Sequence, residues 1–197
     1  MSPDLHITGD DRADALLSTD PNALLLGMVL DQQDKLEKAF AGPRLIADRM
    51  GGALDVTAIA TMSEEDFIAI CVGPPAVHRF PAAMARRLRQ VCQLLADEYA
   101  GDAANLWRSA TSGAQIRATI QSLPGFGEQK AKIFTALLGK QYGAGQAGWR
   151  DAAGDYGLDG FRSVADIVDA DSLIKVRTTK SEAKAAAKAK SAGQKTG

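Results

Sequence analysis

Apolar positions along the chain recur at steps of three and four, the spacing of one face of an α-helix. The clearest case opens at Pro81, where Met84, Leu88, Val91, Cys92, Leu95 and Tyr99 form one stripe and Arg86, Arg87 and Arg89 fall mainly off it. Asp20-Pro21, a capping residue before a proline at the first helical position, leads into Ala23-Leu24-Leu25-Leu26-Gly27-Met28-Val29-Leu30. A helix apolar on every side belongs inside a core. Pro43 is expected to open a short helix that Gly51-Gly52 stops after Met50. Ser63-Glu64-Glu65-Asp66 is a cap followed by acids, starting a helix with Phe67, Ile68 and Ile70. Ser112-Gly113-Ala114-Gln115 has the form of a capping box and predicts a helix ending near Ser122. A further helix is expected from Glu128 to about Gly139, burying Ala131, Phe134, Leu137 and Leu138. A glycine-rich stretch with little pattern follows to Gly160; then Ser163 caps a short helix and Asp171 starts another. No run alternates as a strand would, and no internal repeat is present. The expected fold class is all-α.

Composition narrows the setting. The 197 residues are 46% hydrophobic, with aromatics at 6%, so Leu, Ile, Val, Met and Ala must make the core. No apolar run approaches the roughly 20 residues a membrane helix needs, and the start of the chain lacks the order of a signal peptide. The expectation is a cytoplasmic protein with no membrane partner, acting as a monomer. Cys71 and Cys92 each sit in an apolar helical pattern and read as buried free thiols; a disulfide is the alternative. Two cysteines cannot supply an iron–sulfur cluster, and neither has a partner at zinc-site spacing.

The net charge of −1 is unevenly spread. Residues 178–197 hold five lysines and one acid, leaving 18 basic and 23 acidic residues in 1–177. A mildly acidic body argues against coating nucleic acid broadly, so any contact must be local. We expect a helical domain over 1–177 and a disordered Ala/Lys-rich tail over 178–197, with a frayed helix or a DNA-binding arm as alternatives.

The candidate chemistry lies in Leu123-Pro124-Gly125-Phe126-Gly127-Glu128-Gln129-Lys130-Ala131. One helix stops, Pro124 fixes the chain direction, and two glycines permit a tight turn into the next helix. The first turn of that helix leaves backbone N–H groups unpaired at the positive end of its dipole. With no side chain on Gly125 or Gly127, a phosphate oxygen can reach the backbone, and Lys130 and Lys132 would add charge. Such a site grips the DNA backbone and reads no sequence. The plain alternative is a link between two core helices.

This segment resembles the hairpin of the helix-hairpin-helix (HhH-GPD) superfamily of base-excision repair glycosylases, that of endonuclease III and its adenine- and alkyl-base-removing relatives. Leu24 to Gln33 is similar to the family's early helix, which ends in a glutamine that wedges into the duplex; Gln33 holds that place. Cys71-Val72-Gly73 and the helix from Pro81 to Leu95 are similar to its glycine turn and basic helix, so the likeness spans roughly 20–145. It implies a two-lobed all-α fold, double-stranded and damaged DNA as partner, a base flipped into the groove, and hydrolysis of its N-glycosidic bond. It also implies hairpin contacts through Leu123, Gly125, Phe126, Gly127, Gln129, Lys130 and Lys132. A K⁺ or Na⁺ ion would be held by the carbonyls of Leu123 and Gly125, with no other cofactor required.

The sequence also departs from that family. Members that cut the strand carry a lysine two residues past the second hairpin glycine; here stands Gln129, whose amide forms no Schiff base. Where the family's aspartate should come, in a Val-Asp-Thr-like segment, stands Ala147. Asp151 takes its role only with a longer loop, and Asp155 is the weaker candidate; an exposed acid is the plain reading of each. His78 is read as a capping or partly buried histidine, with contact to phosphate or the flipped base as the alternative, and Trp149 as either a base-stacking group or a hydrophobic anchor. Asp31 and Asp34 flank the glutamines and would repel phosphate. The expected activity is base removal without strand cleavage; a non-catalytic DNA-binding protein and a helical protein-interaction module are the alternatives.

Overall fold

A computed structural model describes residues 3–193, with side chains through residue 183 and at residue 185. Every regular element among them is helical. Helix α1 (Asp11–Thr19) is capped by Asp10, which accepts from the amides of Arg12 and Ala13. Helix α2 (Pro21–Leu30) is capped by Asp20, and Ala23 to Leu30 are all buried. Its polar partners lie at its two ends. The Asn22 amide donates to Gly101 O at 2.9 Å and accepts from Ala103 N at 2.8 Å.

Helix α3 (Leu36–Arg49) corrects the expectation of a start at Pro43, because the proline lies inside the helix. An internal proline costs about 3 kcal/mol. Leu36, Ala39 and Phe40, on the side before it, are buried at 9%, 0% and 0% exposure. Burying a large apolar side chain is worth about 1.5–3 kcal/mol, so Leu36 and Phe40 together offset the proline. The α2–α3 contact is close: a Cβ on Gly27 would meet the Phe40 ring at 2.8 Å, and one on Gly42 would run into Leu30.

Helices α4 (Val56–Thr61) and α5 (Glu64–Val72) begin at Asp55 and Ser63, whose side chains accept from Ala58 N and Asp66 N. Both pack on α6 (Pro81–Glu98), whose stripe of Met84, Leu88, Val91, Cys92 and Leu95 is buried as the spacing predicts. Cys71 and Cys92 are free and buried. Their surroundings push both thiols up to about 12.

After α7 (Asn105–Arg108), α8 (Gly113–Gln121) leads through a turn into α9 (Glu128–Lys140). Ser112 caps α8, but Gln115 completes the box one residue early, accepting from Thr111 N and Thr111 Oγ1. The glycine-rich stretch is more regular than expected, holding α10 (Trp149–Ala153) and a 3₁₀ turn, Gly154–Gly157. Trp149 anchors it: a Cβ on Gly139 or Gly145 would run into its ring, and one on Gly113 into its backbone. A second 3₁₀ turn, Val164–Asp166, starts at Ser163 in a full capping box. Helix α11 (Ala170–Gly193) runs on through most of the expected tail, which is therefore helical as far as Gly193.

Helices α1–α6 pack among themselves, α8 and α10 pack on α9, and α11 packs on the second 3₁₀ turn, which itself lies on α9. One continuous apolar core runs through them. None of the described helices is long and apolar enough to cross a membrane.

Candidate nucleic-acid interface

The turn from α8 to α9 is anchored by its apolar residues and opens outward at its glycines. Leu123 and Phe126 are buried at 3% and 6% exposure, and the Leu123 carbonyl accepts from Phe126 N at 3.1 Å. The Phe126 ring meets Phe134 edge-on at 6.1 Å. Gly125 takes φ +84°, which favours glycine, and a Cβ there would run into the Arg87 side chain of α6 at 2.6 Å. Gly127 is exposed, and a Cβ there would meet nothing within 4 Å. As the N-cap of α9 it offers no capping side chain, so the first-turn amides face outward beside an open glycine.

The side chains of α9's first turns leave in three directions. Gln129 is exposed, and its amide donates to Tyr156 Oη at 2.7 Å. Lys132 pairs with Glu128 at 2.7 Å, which holds that carboxyl below its usual range. Lys130 departs from the expected phosphate contact. Its Nζ donates to the carbonyls of Met28 at 2.8 Å and Val29 at 3.2 Å, at the end of α2, and lies 5.5 Å from the Phe126 ring centre. Burial brings this amine down to about 8, offset in part by Asp31 and reinforced by Arg87. Two of its three donors are taken within the protein, so the lysine ties the hairpin to α2.

The turn after α2 separates the two glutamines. Gln32 is held inward: its amide donates to Val29 O at 3.1 Å, and its oxygen accepts from Arg87 at 2.8 Å. Gln33 is exposed, with φ +54°, a left-handed conformation that costs a residue with a Cβ about 1 kcal/mol or more. Its neighbours hold it there. His78, buried, meets Gln32 O through Nε2 at 2.7 Å, while its Nδ1 accepts from Phe80 N at 3.0 Å. The acceptor role of Nδ1 fixes the proton on Nε2 in the neutral ring. Arg79 donates to Gln33 O at 3.2 Å, and Arg79 N to Asp34 at 2.7 Å. Of the three arginines on α6, Arg86 and Arg89 bind Glu64 and Met62 O, and Arg87 alone of the three backs the hairpin.

The two candidate acids line different cavities, and both are exposed. Asp151 lines a cavity of about 440 Å³ with Arg117 and Lys132. Asp155 lines one of about 400 Å³ with Gln129, Tyr156, Arg162 and Lys180. The residue in the lysine slot thus shares a groove with Asp155 and not with Asp151. Tyr156, Arg162 and Lys180 carried no signal of their own in the sequence; only the return of the chain onto α9 brings them there.

The Leu123 carbonyl keeps one lone pair after accepting from Phe126 N, and the Gly125 carbonyl accepts no bond among the described residues. Both oxygens therefore retain acceptor capacity for a monovalent cation. Among the described residues, no group of three or more His, Cys, Asp or Glu side chains could hold a metal ion. Compared with protein-family models, curated proteins and solved structures, the chain matches none.

Proposed function

We propose that the protein binds duplex DNA through the α8–α9 hairpin and removes a base from it without cutting the strand, within a helix-hairpin-helix glycosylase-like fold. The observation that carries the binding is the uncapped start of α9 behind an open, exposed Gly127, with Leu123 and Phe126 fixing the turn from inside. Such a surface suits a phosphate oxygen, which takes backbone N–H groups and the helix dipole together. Gln33, projecting from a turn held in a left-handed conformation, suits a group that enters the base stack. In base removal the chain's own contribution is a carboxylate near the cationic sugar, and Asp155 beside Gln129 suits that place.

Gly127→Asp tests the binding. Nothing lies within 4 Å of a Cβ at Gly127, and Asp is a good N-cap, so the variant should fold at least as stably as the parent. It puts a carboxylate where phosphate would sit, so affinity should fall on every duplex alike. A folded variant that binds as tightly as the parent refutes the reading.

A non-catalytic DNA-binding protein is the second reading, favoured by one observation: both acids are exposed, whereas groups that stabilise a cationic sugar act best with water excluded. Duplexes carrying different damaged bases, assayed for base release before and after alkali, decide between the two.

A further inference from the structure

Around Gln33 stand three acids, Asp31, Asp34 and Glu37, where a DNA phosphate would be repelled. Asp34 is partly occupied by Arg79 N at 2.7 Å and by Lys38 Nζ at 3.3 Å. Glu37 is met from the far end of the chain, by an ion pair with Arg177 of α11. Arg177 and Lys180 line a cavity of about 440 Å³ with Asp31, Asp34 and Glu37. Lys180 also lines the groove of about 400 Å³ that holds Gln129 and Asp155. Helix α11 therefore lies between the acidic turn and the hairpin helix.

Its hold is uneven. Ser172 and Val176 are buried, but each described residue after Val176 is exposed. Beyond two turns the described hold is the Arg177–Glu37 ion pair, in which the arginine is exposed and the carboxylate largely buried. A polyanion can compete for such cations.

We propose that α11 is a second polyanion-binding surface, stored in the free protein against the acids of the α2–α3 turn and handed over to nucleic-acid phosphate. The partner, DNA, rests on the function proposed above. The exchange has a gain and a cost: Arg177 and Lys180 meet phosphate beside the hairpin when it binds, and the acids they leave are then uncovered. Charge supports that partner: from Ala170 onward the sequence holds seven lysines and arginines against Asp171 and Glu182.

The test places a dye on Ala183→Cys in the full chain and follows its rotation by anisotropy. Cys71 and Cys92 are buried, with thiols near 12, and will not compete for the label. Rotation should be restricted at low salt and released by high salt, by inorganic polyphosphate, and by Asp31→Asn with Glu37→Gln. Rotation that responds to none of these overturns the proposal. With a short duplex, neutralising the two acids should tighten binding several-fold, and Arg177→Gln with Lys180→Gln should lower the salt slope by about two. An unchanged slope also overturns it. Release by polyphosphate in a protein that binds no duplex supports this surface and refutes the hairpin reading. Duplex binding with unchanged rotation does the reverse.

Discussion

One step along α9 separates Gln129 from Lys130, and it turns the side chain by about 100°. Gln129 reaches Tyr156 and the groove with Asp155; Lys130 reaches the end of α2. The amine that sequence alone would send to phosphate becomes a structural tie, and its titration follows. Its ordinary value of 10.5 falls to about 8 in the fold. Between those values the unfolded chain holds a proton that the folded chain has released, so stability rises with pH through that window. The buried thiols act oppositely above about 9, where the unfolded chain loses protons that the folded one keeps. The comparison is therefore parent against Lys130→Met. The parent should gain on the order of 1 kcal/mol over the variant between pH 7 and 9, read from urea midpoints. A constant difference would show that the amine keeps its proton.

The same geometry bears on chemistry. Borohydride should trap no adduct on an abasic duplex, since Gln129 is an amide and the Lys130 amine is engaged by two carbonyls. If a base is released, Asp155→Asn should slow release by about 10²–10³, and Asp151→Asn by much less. The reverse ranking would return the role to Asp151.

At the scale of elements, what sequence showed and what it hid have physical causes. The starts of α2, α5 and α8 are legible because Asp20, Ser63 and Ser112 cap a clear apolar run; α1 and α4 are capped in the same way by Asp10 and Asp55, but they escape a reading of the sequence. The true start of α3 is hidden because Pro43 looks like a first-turn residue, and only the burial of Phe40 against Gly27 shows otherwise. Helix α10 is hidden because glycines, poor helix formers, surround it. Gly145 of that stretch, with Gly113 of α8 and Gly139 of α9, makes room for Trp149, a tertiary fact with no local signature. Gly139→Ala separates the two effects. In an exposed helix the change would stabilise by about 1 kcal/mol. Here the new methyl meets the indole, and overpacking of about 1–3 kcal/mol should prevail, lowering the melting temperature and shifting Trp fluorescence. A more stable variant would mean the ring can move aside. The candidate site divides in the same way. The hairpin is readable as a local motif and Gln33 is singled out only by the resemblance, whereas Tyr156, Arg162 and Lys180 reach α9 only through packing.

For the whole molecule, charge and burial diverge along the chain. Removing residues 178–197 takes away none of the buried residues described, so the shortened protein should melt within a few degrees of the parent. Its binding to duplex should weaken chiefly at low salt, where screening is least. A large fall in melting temperature would mean that α11 contributes to the core beyond Val176. The tethering of α2 has a different consequence, for synthesis. Its first turn is fastened by residues 101 and 103, and its last carbonyls by residue 130. A nascent chain that has delivered only its first hundred residues carries a helix apolar from Ala23 to Leu30 that has its local partners, Asp20 and Gln32, but none of these distant tethers. Such a segment is a natural target for chaperones until the hairpin emerges from the ribosome, so the N-terminal half should be sticky when expressed by itself.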